Sequence, residues 1–283
     1  MNVFIVKKWQ AILLCLFLIT GASVVPAQSS KRVLVSEMPD APQTIRGIET
    51  AATLTSFDTA LASVERGRRR GPARIVQYGD SHTAADLMTG VVRKNFQRDF
   101  VDPSVAGAPA VDFQVLGING ARAVRLTSWS DSAFTASVAR RKPDLIILAY
   151  GTNEVTDHNW SVESYQRMFA GILRRFRRAA PQASLMVIAP PDRAVRGARG
   201  WQSVARMTAL IEAQRRAAIE AGAAFWSAYG AMGGAGSIND WVRQGLGQPD
   251  HVHLTRTGYA RLGNMFYQDI MDSYVRAGFG ANR

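Results

Sequence analysis

Four short clusters of small and polar residues carry the chemistry in this chain. They are Gly79-Asp80-Ser81-His82, Gly117-Ile118-Asn119-Gly120-Ala121, Gly151-Thr152-Asn153-Glu154 and Asp250-His251-Val252-His253. Together they offer a hydroxyl, an imidazole, a carboxylate and several hydrogen-bond donors, the set that acyl transfer to water requires. A serine hydroxyl is a weak nucleophile until an imidazole accepts its proton, and a carboxylate must hold that imidazole in the right tautomer. Asp250 and His253 are three residues apart, so on a helix-like turn they share a side and the carboxylate can reach Nδ1 while Nε2 faces Ser81. The backbone N–H of Ser81, the N–H of Gly120 and the side-chain amide of Asn153 are candidate donors to the oxyanion that forms on the carbonyl. Each residue also has a plainer role open to it. Ser81 can cap a helix, Gly120 can serve a positive φ, Asn153 can be a turn residue and Asp250 a surface carboxylate.

Such groups work only if separate segments bring them to one place, and the pattern between the clusters supplies those segments. Strands are expected at Arg74–Tyr78, Val111–Leu116, Asp144–Tyr150, Ser184–Ala189 and Ala224–Ser227; the third is nearly all apolar, as burial on both faces demands. Helical spacing predicts helices over 46–66, 86–100, 121–141, 161–179, 201–221 and 256–276, while 230–250 is Gly-rich and reads as irregular. Strands alternating with helices predict βαβ units: an α/β, three-layer α/β/α sandwich around a five-stranded parallel sheet. In such sheets ligands bind beyond the carboxyl ends of the strands. Three of the four clusters directly follow strands, which places them at that rim.

In these blocks the sequence resembles the SGNH hydrolases, also called the GDSL lipase/acylhydrolase family. The matching residues are Ser81 in Gly-Asp-Ser, Gly120, Asn153 in Gly-Thr-Asn and His253 in Asp-x-x-His, in order, with the resemblance covering about residues 71–277. It implies a flavodoxin-like sandwich, a catalytic triad of Ser81, Asp250 and His253, and an oxyanion hole from Ser81, Gly120 and Asn153. The Gly-x-Ser-x-Gly elbow of α/β-hydrolases is absent, since Thr83 stands at its second glycine. Tyr78-Gly79-Asp80-Ser81-His82-Thr83-Ala84 and Tyr150-Gly151-Thr152-Asn153-Glu154 look most like the peptidoglycan O-acetylesterase branch, which removes acetyl groups from the C6 oxygen of muramic acid. Members of that branch often carry an added carbohydrate-binding module, for which residues 28–70 are too few. The resemblance therefore implies a serine esterase acting on an acetylated glycan. The rivals are a lysophospholipase, thioesterase or carboxylesterase on longer acyl chains, and a glycan-binding or acetyl-transferring relative.

The remaining polar candidates read as structural. Beside the nucleophile, His82 points away from it on an extended turn and is expected to make a structural hydrogen bond; Glu154 is expected to be structural too. His251 and His253 have the spacing of some metal pairs, but with no third ligand nearby neither a metal nor any other cofactor is expected. Trp160, Trp201, Trp226 and Trp241 read as core or partial core, with Trp160 and Trp241 able to stack on a sugar from loops.

The chain has 283 residues, 34 Lys and Arg against 22 Asp and Glu, 47% hydrophobic residues and one cysteine. That composition excludes disorder, a multi-span membrane protein and an internal disulfide. Lys7 and Lys8 precede the apolar run Ala11–Ile19, which closes at Val25-Pro26-Ala27: the three-part pattern of a signal peptide over 1–27, with an uncleaved anchor as the alternative and Cys15 as apolar filler. Residues 28–70 read as a linker and helix, and 71–283 as the catalytic domain. Cleavage would lower the formal net charge from +12 to +10. An exported, periplasmic or secreted protein of that charge suits an anionic wall polymer rather than nucleic acid, and meets a membrane only through an uncleaved signal. The runs Arg66–Arg70 and Arg174–Arg178 read as solvated faces.

Overall fold

The computed structural model describes residues 47–101, 109–157 and 159–280. The expected signal segment and most of the expected linker lie outside them. The chain alternates as its pattern predicts: α1 (Thr55–Glu65), β1 (Ala73–Gly79), α2 (Ser81–Ala84), α3 (Leu87–Asp99), β2 (Val111–Gly117), α4 (Asp131–Arg140), β3 (Leu145–Ala149), α5 (Val162–Ala179), β4 (Ser184–Ala189), β5 (Ala194–Gly197), β6 (Gly200–Ser203), α6 (Met207–Glu220), β7 (Ala224–Ser227), α7 (Ala228–Met232), α8 (Ser237–Arg243) and α9 (Arg256–Arg276).

Five strands form one parallel sheet in the order β2-β1-β3-β4-β7. The central strands β3 and β4 are almost wholly apolar because both faces are covered, and the side chains of the sheet alternate between two cores. Ile75, Leu145, Ile147, Met186 and Trp226 face α1, α3 and α9, while Val76, Tyr78, Ile146, Leu148 and Val187 face α4, α5 and α6. Helix α5 shows why the second layer holds. Ser161 and Ser164 cap its start reciprocally, and Phe169, Ile172, Leu173 and Phe176 are buried on one side.

The strand order reverses direction at β1, which has β2 on one side and β3 on the other. That reversal opens a crevice at the carboxyl ends of β1 and β3, and it is where the first and third clusters stand.

Several expectations need correcting. The helix expected over 201–221 begins only at Met207, because Gly200–Ser203 pairs with Ala194–Gly197 in an antiparallel hairpin. The Gly-rich 230–250 segment holds two short helices, α7 and α8. The expected 121–141 helix is a 3-10 turn, Ala123–Thr127, followed by α4, and the 46–66 helix likewise opens with a 3-10 turn, Ala51–Leu54. Nor are the arginine runs simply solvated. Arg175 is only 11% exposed, lies 4.2 Å over the Phe134 ring and donates to the carbonyls of Leu126 and Trp129. Arg69 holds Asp144 with two hydrogen bonds of 2.8 Å, and Arg177 donates to the Ala183 and Gly222 carbonyls.

Candidate active site

Two backbone hydrogen bonds stitch the first three clusters together at the rim. The Asp80 N–H donates to the Ala149 carbonyl at the end of β3, and the Ile118 N–H donates to the Gly79 carbonyl at the end of β1. Ser81 opens the short α2, whose start Asp80 caps by accepting from the His82 N–H at 3.0 Å. This tight strand-to-helix turn needs backbone without side chains. A Cβ on Gly117 would lie 2.1 Å from the Ala84 nitrogen, and one on Gly79 would lie 2.1 Å from Thr83 Oγ1. Glycine at those positions lets α2 sit directly on the ends of β1 and β2.

Ser81 Oγ is 3.0 Å from His253 Nε2, and His253 Nδ1 is 2.7 Å from Asp250 Oδ2. The other Asp250 oxygen accepts from the N–H groups of Val252 and His253 at 3.0 and 2.9 Å. One carboxylate thus closes its own turn and aims the imidazole. Burial works to raise the Asp250 carboxyl, but the hydrogen bonds from His253 and Val252 outweigh it and hold its pKa below the ordinary value. The row stands open to solvent, with side-chain exposures of 35% for His253 and 47% for Asp250.

The 248–253 loop is fixed from behind by elements the sequence reading missed. The Ala194 N–H donates to the His251 carbonyl, tying the β5–β6 hairpin to the loop. The Trp201 ring lies flat on His251 at 4.1 Å, and Asn239 bridges the two, with Oδ1 2.7 Å from His251 Nδ1 and Nδ2 donating to the Trp201 carbonyl. At the hairpin's base Asp192 accepts from Ser203 Oγ and the Ile238 N–H. His251 is therefore held by its neighbours, and among the described residues no group of three or more His, Cys, Asp or Glu is arranged to hold a metal ion.

Gly120 has φ +71°, and among the described residues no acceptor takes its N–H or that of Ser81. The Asn153 amide donates one hydrogen to the Ala121 carbonyl at 2.9 Å, which fastens the third cluster to the second. Glu154 fastens them again by accepting from the Ala123 N–H at 2.7 Å. Burial pushes its carboxyl up to about 7, with the Ala123 hydrogen bond pulling the other way.

His82 makes the structural bond expected of it, Nδ1 to Tyr259 Oη at 2.8 Å, linking α2 to α9. Its Nε2 is shut off from solvent with no hydrogen-bond partner among the described residues, and burial lowers its pKa to about 4. It is therefore neutral near pH 7, although its ring centroid is only 5.2 Å from that of His253. A further residue had no signal in the sequence. Arg193 donates to the Thr152 carbonyl at 2.6 Å and feels the charges of Asp250 and Asp80. Trp241 is buried in α8 with its N–H on the Met232 carbonyl, so it cannot stack on a sugar. Trp160 packs between Arg206 and Tyr165.

The GDSL-like lipase/acylhydrolase family model matches residues 78–261, from the end of β1 into α9. The chain belongs to that family. It has the SGNH hydrolase fold and is a carboxylic ester hydrolase. A solved peptidoglycan O-acetylesterase superposes on this family member with a TM-score of 0.73 at 20% identity, covering 81% of this chain and 99% of the other. An acetyl xylan esterase, AlAXEase, superposes at 0.52 with 14% identity, covering 69% and 98%. LAE5, an alpha/beta hydrolase enzyme from the metagenome of Lake Arreo in Spain, does so at 0.50 with 18% identity, covering 72% and 97%. No curated protein sequence matches the chain significantly.

Proposed function

We propose that this esterase removes O-acetyl groups from a cell-wall or surface glycan outside the cytoplasm, peptidoglycan being the favoured polymer. In this reading Ser81 Oγ attacks the acetyl carbonyl while His253 Nε2 takes its proton. The N–H groups of Ser81 and Gly120 and the Asn153 amide receive the oxyanion, each worth about 3–4 kcal/mol in the transition state. The imidazolium returns its proton to the departing sugar oxygen, leaving acetyl-Ser81. Water, deprotonated by His253, then attacks that ester and releases acetate. Asp250 keeps Nδ1 protonated and stabilises the imidazolium at both stages.

The observation that carries the reading is the Ser81–His253–Asp250 row standing half-exposed on an open rim, where an ester on a bulky polymer can reach it. The likeness to a peptidoglycan O-acetylesterase over 99% of that chain supports the substrate class. So does the formal net charge of +12, which attracts anionic polymers. The Lys7-Lys8 and Ala11–Ile19 pattern supports export.

The test compares 4-nitrophenyl acetate, butyrate and octanoate and measures acetate released from O-acetylated peptidoglycan. Acetate esters should be cleaved fastest, and acetate release should vanish in Ser81→Ala. Rates that climb to octanoate, with no acetate freed from the glycan, would replace this reading by a lipase-like one.

A further inference from the structure

On the α4 face of the sheet, just below the rim, lies a cavity of about 290 Å³. That is roughly twice the ~150 Å³ that houses a benzene molecule in an engineered core, room for a sugar ring with a substituent. Its walls are the ends of the three strands that lead into the first three clusters. Tyr78 immediately precedes Gly79-Asp80-Ser81, Tyr150 precedes Gly151-Thr152-Asn153, and Gly117-Ile118 begin the loop to Gly120. Ile118 and Trp129 stand at the wall 47% and 49% exposed, leaving an apolar rim open to solvent.

The charged groups of this cavity are two arginines, which only donate, beside the hydroxyls of Tyr78, Tyr150 and Ser137. Tyr78 is buried to nine-tenths, and among the described residues neither its hydroxyl nor the buried Nε of Arg141 makes a well-aligned hydrogen bond, although the Arg141 side chain approaches the hydroxyl. Burial pushes the Tyr78 phenol up, and the charge of Arg141 and its hydrogen-bonding approach to the hydroxyl pull it partly back. Arg141 spends Nη1 on the neutral Gln114 amide oxygen. Among the described residues, neither Arg141 nor Arg125, the second arginine of the lining, is paired with a carboxylate. No Asp or Glu lines the cavity. A buried arginine donor without a well-aligned acceptor is costly, and with the exposed Arg125 beside it the open space favours an anion.

We infer that this cavity binds the carboxylate of an acidic sugar, with its ring against Trp129 and Ile118 and its charge between Arg141, Arg125 and Tyr78 Oη. The acetylated-glycan reading above is needed only for the source of that carboxylate: a sugar acid of the polymer, its carboxyl free of any amide link, held beside the ester under attack. The bonds are charge-assisted, and Arg can present two donors to one carboxylate.

The experiment is calorimetric titration of the Ser81→Ala protein, which cannot turn over, with N-acetylmuramic acid and with its neutral amide. The acid should bind saturably and less tightly as salt rises, and the amide about tenfold more weakly or worse. Arg141→Gln should weaken the acid by about tenfold to a hundredfold, and Arg125→Gln, at an exposed position that leaves the fold alone, should weaken it less. Tyr78→Phe separates recognition from structure. Removing a buried hydroxyl that lacks a well-aligned partner should leave the melting temperature about equal without ligand, yet shrink the rise that the acid produces. Equal binding of acid and amide, unchanged affinity in Arg141→Gln, or tighter binding of octanamide than of the acid would overturn the assignment. Acid-selective binding with no deacetylation of glycan would keep the cavity's role and remove the substrate; deacetylation without acid-selective binding would do the reverse.

Discussion

Replacing Asp250 by Asn preserves the size of the side chain and isolates its charge. The amide oxygen can still accept from the N–H groups of Val252 and His253, now at 3.0 and 2.9 Å, so the turn should survive. What changes is the contact with His253 Nδ1, which Asp250 Oδ2 meets at 2.7 Å. An amide nitrogen there donates, so Nδ1 must turn acceptor and Nε2 must carry the proton, which leaves nothing to take the proton of Ser81. The electrostatic loss can be scaled. Unit charges about 4 Å apart at an effective dielectric of 20 attract by about 4 kcal/mol. Asp250 is 47% exposed, so solvent screening should cut this to about 2 kcal/mol. The wrong tautomer adds about 1 kcal/mol, one ordinary hydrogen bond. A total near 3 kcal/mol corresponds to a fall of about 10²–10³ in kcat, short of the ~10⁴ found when the triad acid is buried. The assay is kcat for 4-nitrophenyl acetate at pH 7–8, with urea unfolding to verify that stability is kept. A loss below tenfold in a stable variant would refute the role of Asp250.

Asn153→Ala should lower kcat by about 10²–10³ with little change in KM, because an oxyanion donor acts mainly in the transition state; an effect on KM alone, in steady-state kinetics, would move Asn153 into substrate binding. Gly117→Ala forces a Cβ to 2.1 Å from the Ala84 nitrogen, so it should cost about 1–3 kcal/mol in urea unfolding and displace the helix that carries Ser81, lowering kcat as well. A parent-like Gly117→Ala enzyme would mean that α2 is free to shift. Asp58 is buried in α1 and burial raises its carboxyl from 3.8 to about 7. Below about pH 4 both states keep the proton; from there to pH 7 the unfolded chain ionises first, so this group's contribution to stability falls as pH rises. Asp58→Asn should therefore gain on the parent between pH 4 and pH 7, by up to about 4 kcal/mol, and a stability gap identical at pH 4 and pH 8 would contradict it.

The parts of this molecule that were legible in the sequence are those where one local rule decides the outcome. A strand covered on both faces must be apolar at every position, so Leu145-Ile146-Ile147-Leu148-Ala149 announces β3 and its central place in the sheet. The rim position of Ser81 and Asn153 was legible because parallel sheets gather the residues after their strands, and the contact of Asp250 with His253 because a three-residue spacing on a turn lets one meet the other. The hairpin over 194–203 had no such signal. Val195, Arg196, Gly197 and Gly200 are exposed on the strands they form, so no alternation of apolar and polar residues marks them. The pairing is anchored by distant groups instead: Asp192 at its base, His251 under Trp201 and the His251 carbonyl on Ala194. The same limit hid Arg193 and Arg175. A long cationic side chain is written alike whether it lies in water or over the Phe134 ring, and only the neighbours that converge on it decide. Tyr78 was legible as an apolar strand residue just before the Gly79-Asp80-Ser81 cluster. The poor alignment of its buried hydroxyl was not, because hydrogen-bond geometry has no letter in a sequence; it exists only where folding brings Tyr78, Arg141 and the space beside them to one place.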